Sequence, residues 1–207
     1  MPEPEDVVAV AVLLADLARV PDGDARWADL APPTRWTCAR TVEHVADTLV
    51  FYAGQVARRA DRRLPLLRDG RAAPPSEQLD NVLTGAHVLA RLLHDLGAER
   101  AFHPSGMADA AGWAGMAVTE LLVHGVDAAA GLGTRLELPE EICRRTVDRV
   151  FPWVRDVAGA PSELLLAVTG RATVPGVPPD PDWWWQSAPL AEWDGRPRRR
   201  TSPPAWR

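Results

Sequence analysis

The sequence predicts an all-α fold: an antiparallel helical bundle whose members are joined by several long loops. Three observations carry this. Apolar residues recur at helical spacing in several separate stretches. Start and stop signals flank those stretches, with Thr37 before the second and Gly131-Leu132-Gly133 after the fourth. Hydrophobic residues make up 46% and charged residues 25% of 207 positions, the composition of one globular domain with a real core rather than of a disordered chain.

The first helix is expected over about residues 5–20, with Val7, Val10, Leu13, Leu14 and Leu17 in one stripe and Pro21-Asp22-Gly23 ending it. A loop carrying Trp27, Pro32, Pro33 and Trp36 follows. Thr37 then caps a second helix reaching about residue 62. Val42, Val45, Leu49, Ala53 and Val56 form its core stripe, and Arg40, Glu43, Asp47 and Arg58 its solvent face. Between them lie Thr41, His44, Thr48, Tyr52 and Gln55, a mixed polar and aromatic strip of the kind that lines pockets. Residues 64–75 are a Pro/Gly/Arg loop, and Ser76 is expected to cap a third helix to about residue 96. A loop over residues 97–105 leads to a fourth helix over 113–131; a fifth is expected over 140–157 and a short sixth over 162–169. From Arg171 on, proline and tryptophan dominate without any period. The organisation expected is therefore a bundle over 1–170 and, over 171–207, an extension packed on it and fraying at its end, with the Arg-rich run at 196–200 solvated.

Composition excludes several functions. A net charge of −5 argues against a general nucleic-acid binder. Asp16 and Arg19 interrupt the first apolar run, so none reaches the roughly 18 residues of a membrane span. The acidic start, Met1-Pro2-Glu3-Pro4-Glu5-Asp6, is unlike a secretory signal, and a cytoplasmic protein is expected. Cys38 and Cys143 lack any CxxC or CxxH spacing, which excludes a zinc ribbon or thioredoxin motif; both read as buried small hydrophobes. All 23 basic residues are arginine, a codon bias suggesting a GC-rich genome such as an actinobacterium's. Schiff-base chemistry on a lysine is ruled out.

The fourth helix, WAGMAVTELLVHGVDAAAG, carries only three ionisable side chains: Glu120, His124 and Asp127. Spacings of four and three put them on one face, with the first two Cβ atoms about 6 Å apart. A carboxylate in apolar surroundings is destabilising unless its charge is compensated, and a divalent metal shared with His124 would do that. His44, on the mixed strip of the second helix, is the natural third ligand. Two imidazoles and one carboxylate suit Zn²⁺ and leave coordination positions open, while Fe²⁺, Ni²⁺ and Mn²⁺ are chemically allowed. Asp127 is expected to accept from an imidazole N–H, to meet substrate, or to pair with an arginine at the helix end. His87, His94 and His103 read as ordinary hydrogen-bonded or exposed histidines, although His103, before Pro104, could line a pocket mouth. Thr48, Tyr52, His103, Trp113 and Arg171 are the candidate lining residues, Arg171 for a carboxylate of substrate or thiol if not for an ordinary ion pair. Trp183–Trp185 either roof the pocket or pack the tail onto the bundle.

WTCARTVEH, Trp36 to His44, resembles the W-[ST]-x6-H signature of the DinB-like superfamily, and within it the mycothiol-dependent maleylpyruvate isomerase N-terminal domain family. From His103, HPSGMADAAGWAGMAVTELLVHGVDAAAGLG is similar to that family's second signature, with its M-x3-E-x3-H-G-x-D core. TGR at 169–171 and W-D-G-R-P at 193–197 resemble the ends of many single-domain members, so the resemblance covers nearly the whole chain. It implies a DinB-like four-helix core with a divalent metal on His44, Glu120 and His124. In thiol-using members a low-molecular-weight thiol binds the metal and its sulfur does the chemistry. A free thiol with a pKa near ~8.5 is only a few per cent thiolate at neutral pH, and a metal deprotonates it. Such a thiolate could add to an electrophile, conjugating it or permitting bond rotation before leaving. Characterised maleylpyruvate isomerases carry a further C-terminal domain for substrate binding, where this chain has only its Pro/Trp-rich extension. That counts against maleylpyruvate itself. The expectation is a zinc-dependent transferase or isomerase using mycothiol on a small electrophilic metabolite, with no nucleic-acid or membrane partner and a homodimer left open. Its alternatives are a thiol-free biosynthetic cyclase or hydrolase using metal-bound water, and a non-catalytic ligand-binding bundle.

Overall fold

Six α-helices form among the described residues of the computed structural model, which are 1–20, 26–67 and 73–200. They are α1 (Pro4–Ala15), α2 (Cys38–Ala57), α3 (Pro75–Leu96), α4 (Ala110–Gly131), α5 (Glu140–Val150) and α6 (Pro161–Val168). The expected stop at Pro21-Asp22-Gly23 and the last seven residues of the tail lie outside the described residues.

A long stretch that is apolar almost throughout becomes the centre of the bundle. A helix apolar on nearly every side must be surrounded, and α4 is: α1 and α2 each pack against both α3 and α4, and α5 covers α4 from outside with α6 behind it. Leu14, Leu49, Leu89, Met116 and Leu121 are fully buried where the four long helices meet. No helix of the described residues is long and apolar enough to cross a membrane.

Helix ends follow local chemistry, which corrects several expected boundaries. Residues 16–19 tighten into a 3₁₀ turn after α1. Thr37 caps α2 as expected, its Oγ1 accepting from the Arg40 N–H at 3.2 Å. α2 stops at Ala57, short of residue 62, because buried Gln55 turns the chain back: its Nε2 donates to the Arg62 and Phe102 carbonyls, and its Oε1 accepts from Leu64 N–H at 2.7 Å. α3 begins at Pro75 rather than after a Ser76 cap, since a proline at the first helical position lacks only an N–H that would be unpaired anyway. The loop expected at 97–105 contains the first strand of an antiparallel hairpin, Ala101–His103 with Gly106–Ala108. α5 ends at Val150 instead of 157 because Pro152 disfavours helical backbone at Phe151.

The tail is woven into the bundle. Trp185, Gln186 and Ser187 are buried. Arg149 of α5, fully buried, donates to the Gln186 carbonyl at 2.7 Å and the Ser187 carbonyl at 2.9 Å, and pairs with Asp109, the N-cap of α4. The Arg-rich run is not simply solvated: Trp184 N–H donates to the Arg198 carbonyl at 3.0 Å, Arg199 pairs with Asp180, and the Arg200 guanidinium lies 4.4 Å from the Trp184 ring centre.

Candidate metal centre

His44 and the α4 pair reach one place because two caps fix where α2 and α4 start. Thr37 sets the phase of α2, putting His44 two turns in, on the side that packs against α4. Asp109 caps α4, accepting from Gly112 N–H at 2.8 Å, and Glu120 and His124 follow on one face. One ligand atom from each of His44, Glu120 and His124 lies within 4.8 Å of the others. Glu120 Oε2 stands 3.4 Å from His44 Nε2 and 3.3 Å from His124 Nε2. The two imidazoles meet edge to face, ring centres 5.0 Å apart.

The two separations from Glu120 are those of ligands sharing one metal. Tetrahedral ligands ~2.1 Å from a zinc ion stand about 3.4 Å apart. Glu120 Oε2 is also a buried oxygen that accepts no well-formed hydrogen bond, an unusual state for a carboxylate out of water. Burial alone would raise the Glu120 pKa, but His124 and His44 beside it hold the carboxyl well below the usual carboxylate range. Burial would lower His124, yet Asp127 and Glu120 push it up to about 9. In the metal-free protein a proton thus sits where a cation would balance the same charges.

Asp127, fully buried, accepts from His124 Nδ1 at 3.1 Å and from Arg171 twice, Nη2 to Oδ2 at 2.7 Å and Nε to Oδ1 at 3.2 Å. It therefore supports an imidazole and pairs with an arginine at once. Arg171 also donates to the Thr169 carbonyl at 2.6 Å, so its guanidinium is engaged inside the protein rather than presented to a ligand.

Of the other expected lining residues, Thr48 is half-buried one turn after His44. Tyr52, His103 and Trp113 form a ring cluster beside Glu120, with centres 4.9 Å apart for Tyr52–Trp113, 5.6 Å for Tyr52–His103 and 5.4 Å for His103–Trp113. His103 is 3% exposed, part of an interior wall rather than of a pocket mouth, and pairs through Nδ1 with Ser105. Burial, with Arg63 adding to it against Glu120, lowers His103 to about 3. Trp184 and Trp185 of the tail close over His103 at 5.8 and 5.6 Å. Thr41 and Gln55 of the mixed strip are structural, Thr41 bonding back to the Thr37 carbonyl. His87 and His94 are exposed.

Trp36 was missing from the expected site. Its ring lies 4.8 Å from His44 and 6.0 Å from His124. The preceding loop holds it there, with Ala31 N–H donating to the Trp36 carbonyl at 2.9 Å and Cys38 N–H to the Asp29 carbonyl at 2.8 Å. The W-T-x6-H spacing was the signal that could have found it. Both cysteines are free and buried, and burial pushes Cys143 up to about 12 and raises Cys38. Neither is a thiolate at neutral pH. A cavity of about 160 Å³ lies elsewhere, between α5 and α6 beside Val147 and Leu164, and holds none of the expected site residues.

Compared with known protein families, the chain matches the mycothiol maleylpyruvate isomerase N-terminal domain over residues 7–129, a stretch containing His44, Glu120, His124 and Asp127. No curated protein and no solved structure matches it.

Proposed function

Because the chain belongs to the mycothiol maleylpyruvate isomerase N-terminal domain family of the DinB-like superfamily, we propose that it is a zinc-dependent transferase or isomerase that uses mycothiol on a small electrophilic metabolite. The observation carrying this reading is the convergence of His44, Glu120 and His124 around a buried carboxylate oxygen that lacks a well-formed hydrogen bond. A divalent metal on these three residues supplies a Lewis acid of net charge +1, suited to lowering the pKa of a small thiol and holding its anion.

The chain's own residues do the rest. Glu120 offsets half of the metal's charge, and Asp127 keeps the His124 ring turned so that Nε2 faces the cluster. Trp36 covers one side of both imidazoles, and Tyr52 with Trp113, both buried, packs a largely apolar layer behind the cluster that keeps water from it. Both cysteines are buried and protonated, which supports a sulfur nucleophile brought in from outside.

The test is to strip the protein of metal, restore Zn²⁺ and titrate mycothiol by calorimetry. Expected are one zinc per chain, thiol binding by the zinc form only, and loss of both in His124→Ala. Failure of the wild type to take up zinc, or thiol binding unchanged in His124→Ala, overturns the reading. Zinc uptake without thiol binding would point instead to a cyclase or hydrolase using the metal alone.

A further inference from the structure

We propose that Arg171 is a positioning residue of the metal centre: its guanidinium fixes Asp127, and Asp127 fixes which nitrogen of His124 keeps its proton and which can give its own up to a metal. The inference rests on the metal reading above and adds a residue from outside the stretch, 7–129, that the family match covers.

Asp127 is fully buried on α4, and a carboxylate there without a counter-charge is strongly destabilising. Its counter-charge comes from the turn after α6. Arg171 N–H donates to the Leu166 carbonyl at 2.7 Å, and the guanidinium is steadied on the Thr169 carbonyl at 2.6 Å. From there its fork meets both Asp127 oxygens, at 2.7 and 3.2 Å. Held in this way, Asp127 is a pure acceptor. The His124 nitrogen 3.1 Å away must then carry a hydrogen, so the nitrogen whose proton a metal can replace is Nε2. Nε2 is the atom 3.3 Å from Glu120 Oε2, inside the cluster. The turn after α6 thus orients a ligand of the central helix through one ion pair. Lysine cannot replace the fork, since a single ammonium does not grip two carboxylate oxygens in one plane.

The experiment compares wild type, Arg171→Met and Arg171→Lys by chelator competition for Zn²⁺ and by the imidazole N–H resonances of the zinc-loaded proteins. Removing an outer partner of a liganding histidine weakens metal binding by about 10–100-fold, and Arg171→Met is expected in that range, with Arg171→Lys between it and wild type. The His124 Nδ1–H resonance, protected from exchange in the wild type, is expected to vanish in Arg171→Met. A merely structural role would lower stability and leave that resonance in place. Wild-type zinc affinity, or an intact Nδ1–H signal, in Arg171→Met overturns the assignment; should that variant not fold, Arg171→Lys decides by the same two readouts. A wild-type protein that takes no zinc sinks the metal reading itself, a result distinct from zinc binding that ignores Arg171.

Discussion

His103 cannot charge easily where it sits. Tyr52, Trp113, Trp184 and Trp185 enclose its ring, and burial lowers it to about 3 from 6.5. Below about pH 6.5 the unfolded chain takes up a proton that the folded chain refuses until about pH 3. The contribution is therefore complete above pH 6.5 and is lost as the pH falls toward 3. By pH 4.5 the loss amounts to roughly 3 kcal/mol. Urea unfolding of metal-free wild type and His103→Phe at pH 7.5 and 4.5 measures it. The variant lacks the Ser105 hydrogen bond at both values, so only the difference between the two pH values counts, and that loss is expected to be smaller in His103→Phe. Equal losses would show that His103 charges as readily folded as unfolded. At this scale the metal cluster was half legible. Glu120 and His124 stood out because two ionisable groups four apart on an apolar helix must share a face. His44 came from the mixed strip and the family motif, since no spacing within α2 says which neighbour it meets. The role of Arg171 lay beyond any local pattern, because 44 residues separate it from Asp127.

Elements meet at glycines on α4. A Cβ at Gly112 would run into the Ser187 carbonyl of the tail, one at Gly115 into Val150 of α5, one at Gly125 into Leu14 of α1, and one at Gly131 into the Leu30 carbonyl beside Cys38. The helix thus has four places where a neighbour comes closer than a side chain allows. Gly112→Ala is the sharpest case because the obstacle is backbone, held by Arg149. It is expected to destabilise by about 1–3 kcal/mol and to shift the tryptophan fluorescence of the tail. Gly54→Ala makes the opposite case on α2, where nothing lies within 4 Å of the added methyl; there the helix should gain up to about 1 kcal/mol. Chemical denaturation of the two variants side by side checks both signs, and stabilisation by Gly112→Ala would refute the close approach. Helix cores were legible from their stripes, and the Thr37 cap from chemistry that acts within four residues. The end of α2 was not, because it is set by Gln55 reaching the hairpin at Phe102, a contact that exists only after folding.

At the scale of the molecule, the metal ligands come from α2 and α4, while the support for one of them comes from beyond α6, so the site is finished only when the chain has closed on itself. The expected division into a bundle over 1–170 and an extension over 171–207 becomes a question of energy. Cutting the chain after residue 170 takes the Gln186 and Ser187 carbonyls from Arg149, a side chain with no exposure. It takes Arg171 from buried Asp127, Trp183 from Phe151, and Trp184 and Trp185 from His103. Breaking one buried ion pair by removing a partner costs about 3–5 kcal/mol, against a total stability of about 5–15 kcal/mol for an ordinary domain. Arg149 keeps Asp109, so its loss is partial, but Asp127 loses its arginine outright. A chain truncated after residue 170 is therefore expected to show a collapsed urea midpoint, or not to fold. A milder truncation, ending at residue 200, keeps all of these contacts, and its midpoint is the reference. If the shorter chain instead unfolds at that same midpoint, the buried arginines are not holding the tail and bundle together. The missing period that made the tail unreadable has the same origin: its described residues are fixed one by one by partners on α4, on α5 and on the hairpin, not by a repeat of their own.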